Sequence, residues 1–176
     1  EENSIIEAAL EKINDEFDFE KDSVIVLSKE NWHHGVIGIV SSRITERYGL
    51  PSILISFDEN DIGKGSGRSV KGINLVDALT YCSDLLVKYG GHELAAGLTI
   101  ERKNYDEFVR RINEYASQRA KDIDLTPVLD IDAEVMPEMI TMEQAEDISK
   151  LEPYGIANPM PTFALRSAVI SDITSL

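Results

Sequence analysis

The spacing of apolar and polar positions changes period several times along the chain, and each change marks an element. From Ser4 to Phe17, Ile5, Ala8, Ile13 and Phe17 fall roughly on one side of a helix. Val24 to Leu27 is an unbroken apolar run, the pattern of a buried strand. Val36, Val40, Ile44 and Tyr48, each four apart, predict a helix. Gly49 supplies its left-handed stop and Pro51 prevents continuation. Ser52 to Phe57 is a second buried strand, so the segment reads as a βαβ unit with two parallel strands.

Asn74 caps a predicted helix from Leu75 to Tyr89, which Gly90-Gly91 ends. Leu98 to Glu101 is a short strand, and Asn104 caps a helix from Tyr105 to about Ala120. Tyr105, Phe108 and Tyr115 lie at helical spacing and read as core. Thr126-Pro127 is a boundary signal. Past it, Val128 to Val135 alternates apolar and acidic residues, as a half-exposed strand does. Thr141 with Gln144 forms a capping box for a helix to Leu151. A turn-rich connector, LEPYGIANPMP, leads to a last strand from Thr162 to Ile170. The predicted class is α/β, with the main domain over residues 21–121. Residues 1–20 read as the end of a linker helix, and 122–176 as the opening of a second, β-rich domain that is incomplete.

Charge changes this picture less than its total suggests. The net charge of −15 argues against nucleic acid as a partner. The acids, however, lie in the flanks: residues 1–23 hold nine acids and two bases, and 122–176 hold eleven and two. The middle holds twelve acids and thirteen bases, which permits a local phosphate site. The single cysteine, Cys82, excludes an internal disulfide framework and points to a reducing compartment. No apolar run approaches the ~20 residues that cross a bilayer, and a cytoplasmic location with no membrane contact is expected.

Three segments can carry chemistry. Trp32-His33-His34-Gly35 precedes the Val36 helix, where backbone N–H groups attract anions and His33 can add a donor. A polar loop satisfied by its neighbours explains it equally well. Adjacent histidines do not readily share one metal ion, and no carboxylate or thiol partner lies nearby. Gly63 to Ser69, GKGSGRS, offers close backbone approach, hydroxyls from Ser66 and Ser69, and the two-pronged guanidinium of Arg68. It lacks the spacing of a Walker loop, and a plain glycine hairpin is the competing explanation. Gly90-Gly91-His92, continuing as ELAAG, is either a ligand turn or a helix stop. No zinc-type Cys/His set or evident cluster of metal-binding acids is found by spacing.

In this order, WHHGVIGIVSSR, GKGSGRSVKGINL, GGHELAAGLTI and LEPYGIANPMPTF resemble the RecJ family of single-strand DNA exonucleases. The resemblance covers nearly the whole chain. It implies a mixed β-sheet with flanking helices, the DHH-associated domain, followed by the start of an oligonucleotide-binding (OB) fold. It further implies that Ser66 and Arg68 bind a terminal phosphate or backbone of single-stranded DNA and that His92 helps bind substrate; Ser69, Gly90 and Gly91 are expected as further phosphate contacts and His33 as an additional substrate contact. The catalytic domain, with its Asp-His-His signature and bound Mn²⁺ or Mg²⁺, would lie upstream as the partner of this one. The chain alone is then expected to hold no catalytic residue and no metal, and to be inactive. Alternatives of the same superfamily act on short oligonucleotides or cyclic dinucleotides. A non-catalytic nucleic-acid- or protein-binding module is a third reading.

Overall fold

The computed structural model describes residues 2–120, 128–155, 157–169 and 172. It divides into two compact units, Glu1–Pro127 and Val128–Leu176. The first contains α1 (Glu2–Glu16), β1 (Ile25–Glu30), α2 (His34–Tyr48), β2 (Ser52–Phe57) and β3 (Ile62–Arg68). It continues with α3 (Leu75–Tyr81), β4 (Leu86–His92), β5 (Ala95–Glu101) and α4 (Tyr105–Ala120). Five strands form one mixed sheet in the order β1-β2-β3-β5-β4. β1 and β2 are parallel, as the βαβ pattern requires, and the other pairings are antiparallel.

A sheet sandwiched between helices needs apolar residues on both faces, and β2 shows why its sequence is continuous rather than alternating. All six of its residues are buried. Ile53, Ile55 and Phe57 point into one core with Leu75, Leu79, Phe108 and Ile112 of α3 and α4. Leu54 points the other way, joining Ile5, Ala9 and Ile13 of α1 and Ile37, Val40 and Ile44 of α2. Helix α1 therefore belongs to the body of the first unit, with Ala9 rather than Ala8 buried. Gly49 takes φ 66° and closes α2 by donating its N–H to the Thr45 carbonyl, as its position predicts. Phe108 is buried, and Tyr105 and Tyr115 pack at the edge of the same core. Cys82 is fully buried there, and burial pushes its thiol up to about 11.

The helix predicted for Leu75 to Tyr89 is half that length. It stops at Tyr81, followed by a 3-10 turn at Ser83–Leu85, and residues 86–92 are β4. Tertiary pairing decides the difference. Arg111 of α4 donates to the Tyr81 carbonyl at 2.5 Å and to both Asp84 carboxylate oxygens at 2.8 Å, which fixes the end of α3. β5 then offers residues 86–92 a ladder broken only by a bulge between Leu86 and Lys88. Gly90 and Gly91 thus lie inside a strand, not at a helix stop. Asn104 spends its side chain on the Leu85 carbonyl at 2.9 Å instead of on the first turn of α4.

In the second unit, β6 (Ala133–Glu134) pairs in parallel with β7 (Phe163–Ala164), and α5 (Met142–Ser149) lies between them in sequence. The Thr141 hydroxyl accepts the Gln144 N–H at 3.3 Å, half of the predicted capping box. Asn158 pins the connector by donating to the Leu151 and Pro153 carbonyls. The predicted strands over Val128 to Val135 and Thr162 to Ile170 shrink to two residues each, with Ile170 outside the described residues. A strand is sustained by a partner ladder and a covered face, and Val128, Leu129 and Ile131 have neither, at 83%, 72% and 52% exposed. No described residue of this unit is buried.

Candidate nucleic-acid interface

Segment GKGSGRS is not a hairpin: Gly63 to Arg68 lie in β3, in the middle of the sheet, and Ser69 follows it. Its alternation is literal. Gly63, Gly65 and Gly67 face the α3–α4 core, where neighbouring side chains lie across the strand. A Cβ at Gly63 would meet Ile55 and Phe57 at 2.7 Å; at Gly65 and Gly67 it would meet Ile55, Leu98, Ile53 and Leu75 at 3.0 Å or slightly more. Lys64, Ser66 and Arg68 occupy the opposite face, two residues apart.

Cross-strand register then assembles the site. Directly opposed residues share a face. Arg68 pairs with Ala95, and Ala95 with His92. Ser66 pairs with Gly97, and Gly97 with Gly90. The fold thus brings GKGSGRS and GGHELAAG together across β5. The turn that follows His92 is fastened to this row: Ser69 donates its N–H to the Leu94 carbonyl at 2.9 Å, and Leu75 donates to the Glu93 carbonyl at 2.8 Å.

Each side chain can be given a physical role. Arg68 is half-buried, and its hydrogen bonds within the described residues both come from Nη1, to the Gly67 carbonyl at 2.9 Å and Ser66 Oγ at 3.3 Å. No carboxylate pairs with it among the described residues. Its Nη2 and Nε make no hydrogen bond among the described residues. His92 is exposed. Gly90 is open: a Cβ there would meet nothing within 4 Å. Gly91 is closed: a Cβ would meet the Ala95 carbonyl oxygen at 2.3 Å. Gly90 therefore leaves open space above the sheet, and Gly91 allows the close approach of β5. Ser69 is also internal, since its hydroxyl donates to the Ile73 carbonyl at 2.6 Å and so is not free to donate elsewhere.

His33 stands apart. It is the N-cap of α2, and its Nδ1 accepts the Gly35 N–H at 3.1 Å. It follows Glu30, which pairs with Phe57, itself opposite Gly63. Arg68 and His92 lie at the other end of the sheet, in the row of Ser52. Those two rows are separated by roughly 17 Å of strand, but α2 runs back from His33 over the sheet and brings Gly38 against Ser66 and Arg68. Trp32 is buried in the α1–α2 core.

One residue of this site gave little warning in the sequence. Gly38 of α2 lies over the site; a Cβ there would come within 3.0 Å of Ser66 Oγ and 3.3 Å of Arg68 Nη2. An isolated glycine inside a helix was the available signal. Three hydroxyls hold α2 in that position. Ser41 and Thr45 meet Ser52 Oγ at 2.8 and 2.9 Å, and Ser52 also donates to the Ser41 carbonyl.

Comparison with known proteins gives the family of this sheet. The family described as "DHHA1 domain" matches residues 21–118. The chain belongs to the DHHA1 family. The match contains the sheet from β1 to β5 and therefore every residue of the two rows. The "RecJ OB domain" family matches residues 131–176. The single-stranded-DNA-specific exonuclease RecJ of Bacillus subtilis is 36% identical over 155 residues, 88% of this chain and 20% of that protein. Its Thermus thermophilus counterpart is 36% identical over 92% of this chain and 23% of that protein. The crystal structure of RecJ in complex with Mg²⁺ from Thermus thermophilus superposes with a TM-score of 0.72 at 34% identity, covering 92% of this chain and 25% of that one. A crystal structure of exonuclease RecJ bound to manganese gives 0.57 at 35% identity, over 70% of this chain and 31% of that one. The DHHA1 chain thus spans a fifth to a quarter of the length of the curated relatives. Its mixed sheet between helices is the architecture implied by the family resemblance.

The metals in those structures have no counterpart in the donor set seen here. Among the described residues, no three His, Cys, Asp or Glu side chains converge. The two rows of the DHHA1 sheet offer N–H and O–H donors, which suit an anion rather than a cation. No described helix is long and apolar enough to cross a membrane.

Proposed function

We propose that this chain is the substrate-binding part of a RecJ-type 5′-to-3′ single-stranded-DNA exonuclease serving DNA repair and recombination. The observation that carries the reading is the Arg68 fork beside Ser66, which no carboxylate pairs with among the described residues, set one strand from Gly97, two from Gly90 and level with His92. In this reading Arg68 grips a terminal phosphate through two parallel N–H bonds. Ser66 and His92 add donors, and Gly90 lets the sugar-phosphate backbone lie close to the sheet. Residues 21–121 form the binding domain and 122–176 the opening of the OB domain. A divalent Mn²⁺ or Mg²⁺, which activates water and stabilises phosphoryl charge, belongs to a separate DHH domain. The match of residues 131–176 to the RecJ OB domain favours this reading over a phosphodiesterase for cyclic dinucleotides.

Arg68→Ala tests it directly. Binding of a short 5′-phosphorylated oligodeoxythymidylate, read by NMR titration or anisotropy, should weaken roughly 10- to 150-fold, the worth of a charge-assisted bond of ~1.5–3 kcal/mol. Arg68→Lys should restore part of it. The melting temperature should stay put, because the bonds Arg68 makes within its own strand support no other element. Unchanged affinity with an intact fold rules the assignment out.

Gly38→Ala should separate stability from binding. Alanine favours a helix over glycine by up to ~1 kcal/mol, so the melting temperature should hold or rise. The added methyl displaces the Arg68 fork by a few tenths of an ångström. Affinity for the same oligonucleotide should fall about three- to tenfold, ~0.7–1.4 kcal/mol. A parallel loss of stability and affinity would show that Gly38 serves packing alone.

A further inference from the structure

The face that carries Arg68 and His92 continues into a row that the proposed site does not use. Lys64 pairs with Thr99, and Thr99 pairs with Lys88. All three therefore share the face of Ser66 and Arg68. Both lysines are exposed, and neither forms an ion pair among the described residues. That is notable in a chain with 32 acids and 17 lysines and arginines. Between this row and the Arg68 row lies the floor made by Gly97 and Gly90. A Cβ at Gly90 would meet nothing, and one at Gly97 only the Gly65 carbonyl at 3.5 Å. Internal packing does not explain why the floor carries no side chains. The result is a groove of about 410 Å³ lined by Lys64, Lys88, Gly90, Gly97 and Thr99 among others. Helix α2 packs over the neighbouring part of the same sheet, β2 and β3.

From this geometry we infer that Lys64, Lys88 and the Thr99 hydroxyl form a second anion subsite, which takes an internal phosphate of the same single strand whose end lies at Arg68. The inference rests on the proposed function and extends it. Same-face residues of a strand repeat about every 6.7 Å, so Lys64 lies roughly 13 Å from Arg68 along β3. That reach is of the order of a step or two along an extended nucleic-acid backbone. Lys64 and Lys88 stand two strand spacings apart, about 10 Å, and long lysine stems can close on one phosphate over Thr99. The bare floor lets the intervening sugar pass. Lysine contacts of this kind are point-charge contacts. They add affinity that depends on salt and is indifferent to sequence.

The test varies ligand length on the whole 176-residue chain. Thymidine 5′-monophosphate and 5′-phosphorylated oligodeoxythymidylates of increasing length are titrated into labelled protein at low and moderate salt, followed by NMR. Lys64→Gln and Lys88→Gln should leave mononucleotide binding unchanged. For longer ligands each should weaken binding about three- to tenfold and flatten the salt dependence by roughly 0.7 per lost phosphate contact. Gly90→Val should keep the melting temperature and impair the longer ligands. Equal losses for mononucleotide and longer ligands would overturn the inference, because the lysines would then act only through the general field. So would no loss at any length. If Arg68→Ala still weakens every ligand in those cases, the proposed function stands without the second subsite. If Arg68→Ala is also without effect, or if the unaltered chain shows no shift with any ligand, both fail.

Discussion

Gly91→Ala is expected to destabilise the first unit by more than about 3 kcal/mol, while Gly90→Ala, one residue away, leaves its stability unchanged. The contrast follows from where each Cβ would point. At Gly91, φ is +151°, outside the range side chains favour, and the methyl would meet the Ala95 carbonyl oxygen at 2.3 Å and Ala96 Cα at 2.5 Å. Those atoms are backbone of the paired strand and cannot turn aside. Relief requires β4 to part from β5, which frees the tether of the hairpin at Ser69 and Leu75. At Gly90 the methyl enters open space. Urea unfolding of the two variants against the parent chain decides the matter. Similar midpoints for both would show that β4 lies farther from β5 than described.

Asn113→Leu is expected to cost roughly 2–4 kcal/mol, although leucine fills a similar volume and the site is buried. The Asn113 side-chain oxygen accepts two backbone N–H groups, Ser23 at 2.7 Å and Val24 at 2.8 Å. Its amide nitrogen is anchored to the Val109 carbonyl of its own helix at 3.0 Å. One side chain on α4 thus satisfies the backbone just ahead of β1, about ninety residues earlier in the chain. Leucine leaves both donors without this partner, Val24's buried and Ser23's half-buried, and each unsatisfied buried donor costs ~1–3 kcal/mol. Asn113→Asp keeps the accepting oxygen and should recover most of the loss at neutral pH. A leucine variant that unfolds at the parent midpoint would mean that the two N–H groups find other partners.

Much of the first unit was legible because its signals are local. The four-residue spacing from Val36 to Tyr48, the glycine stop at 49 and the apolar run at Ser52–Phe57 all came out as read. What the sequence concealed depended on distant partners. Residues 86–92 have helical neighbours and a glycine pair that resembles a stop, yet β5 and Arg111 draw them into the sheet. GKGSGRS was hidden by its composition, since glycine weakens a strand and every second residue here is glycine. The alternation was nevertheless present: side-chainless positions at 63, 65 and 67, polar ones at 64, 66 and 68. In the second unit alternation alone predicted strands that lack partners over most of their length. Among the candidate site residues, Ser66, Arg68, Gly90 and His92 share one face. Ser69 and Gly91 lie beside them and make contacts internal to the fold, and His33 caps α2 outside the two rows. Side-chain chemistry could propose these residues, but only strand register could sort them.

The interleaving in β3 also bears on how damage to this motif would show itself in a living cell. Substituting an odd-numbered position overfills a core, and such lesions are relieved by cooling or by a compensating change elsewhere that adds stability. Substituting an even-numbered position removes a donor from the surface and leaves nothing for added stability to repair. Six consecutive letters, Gly63 to Arg68, therefore hold two classes of allele, one temperature-sensitive and open to suppression, the other neither, alternating residue by residue along a single strand.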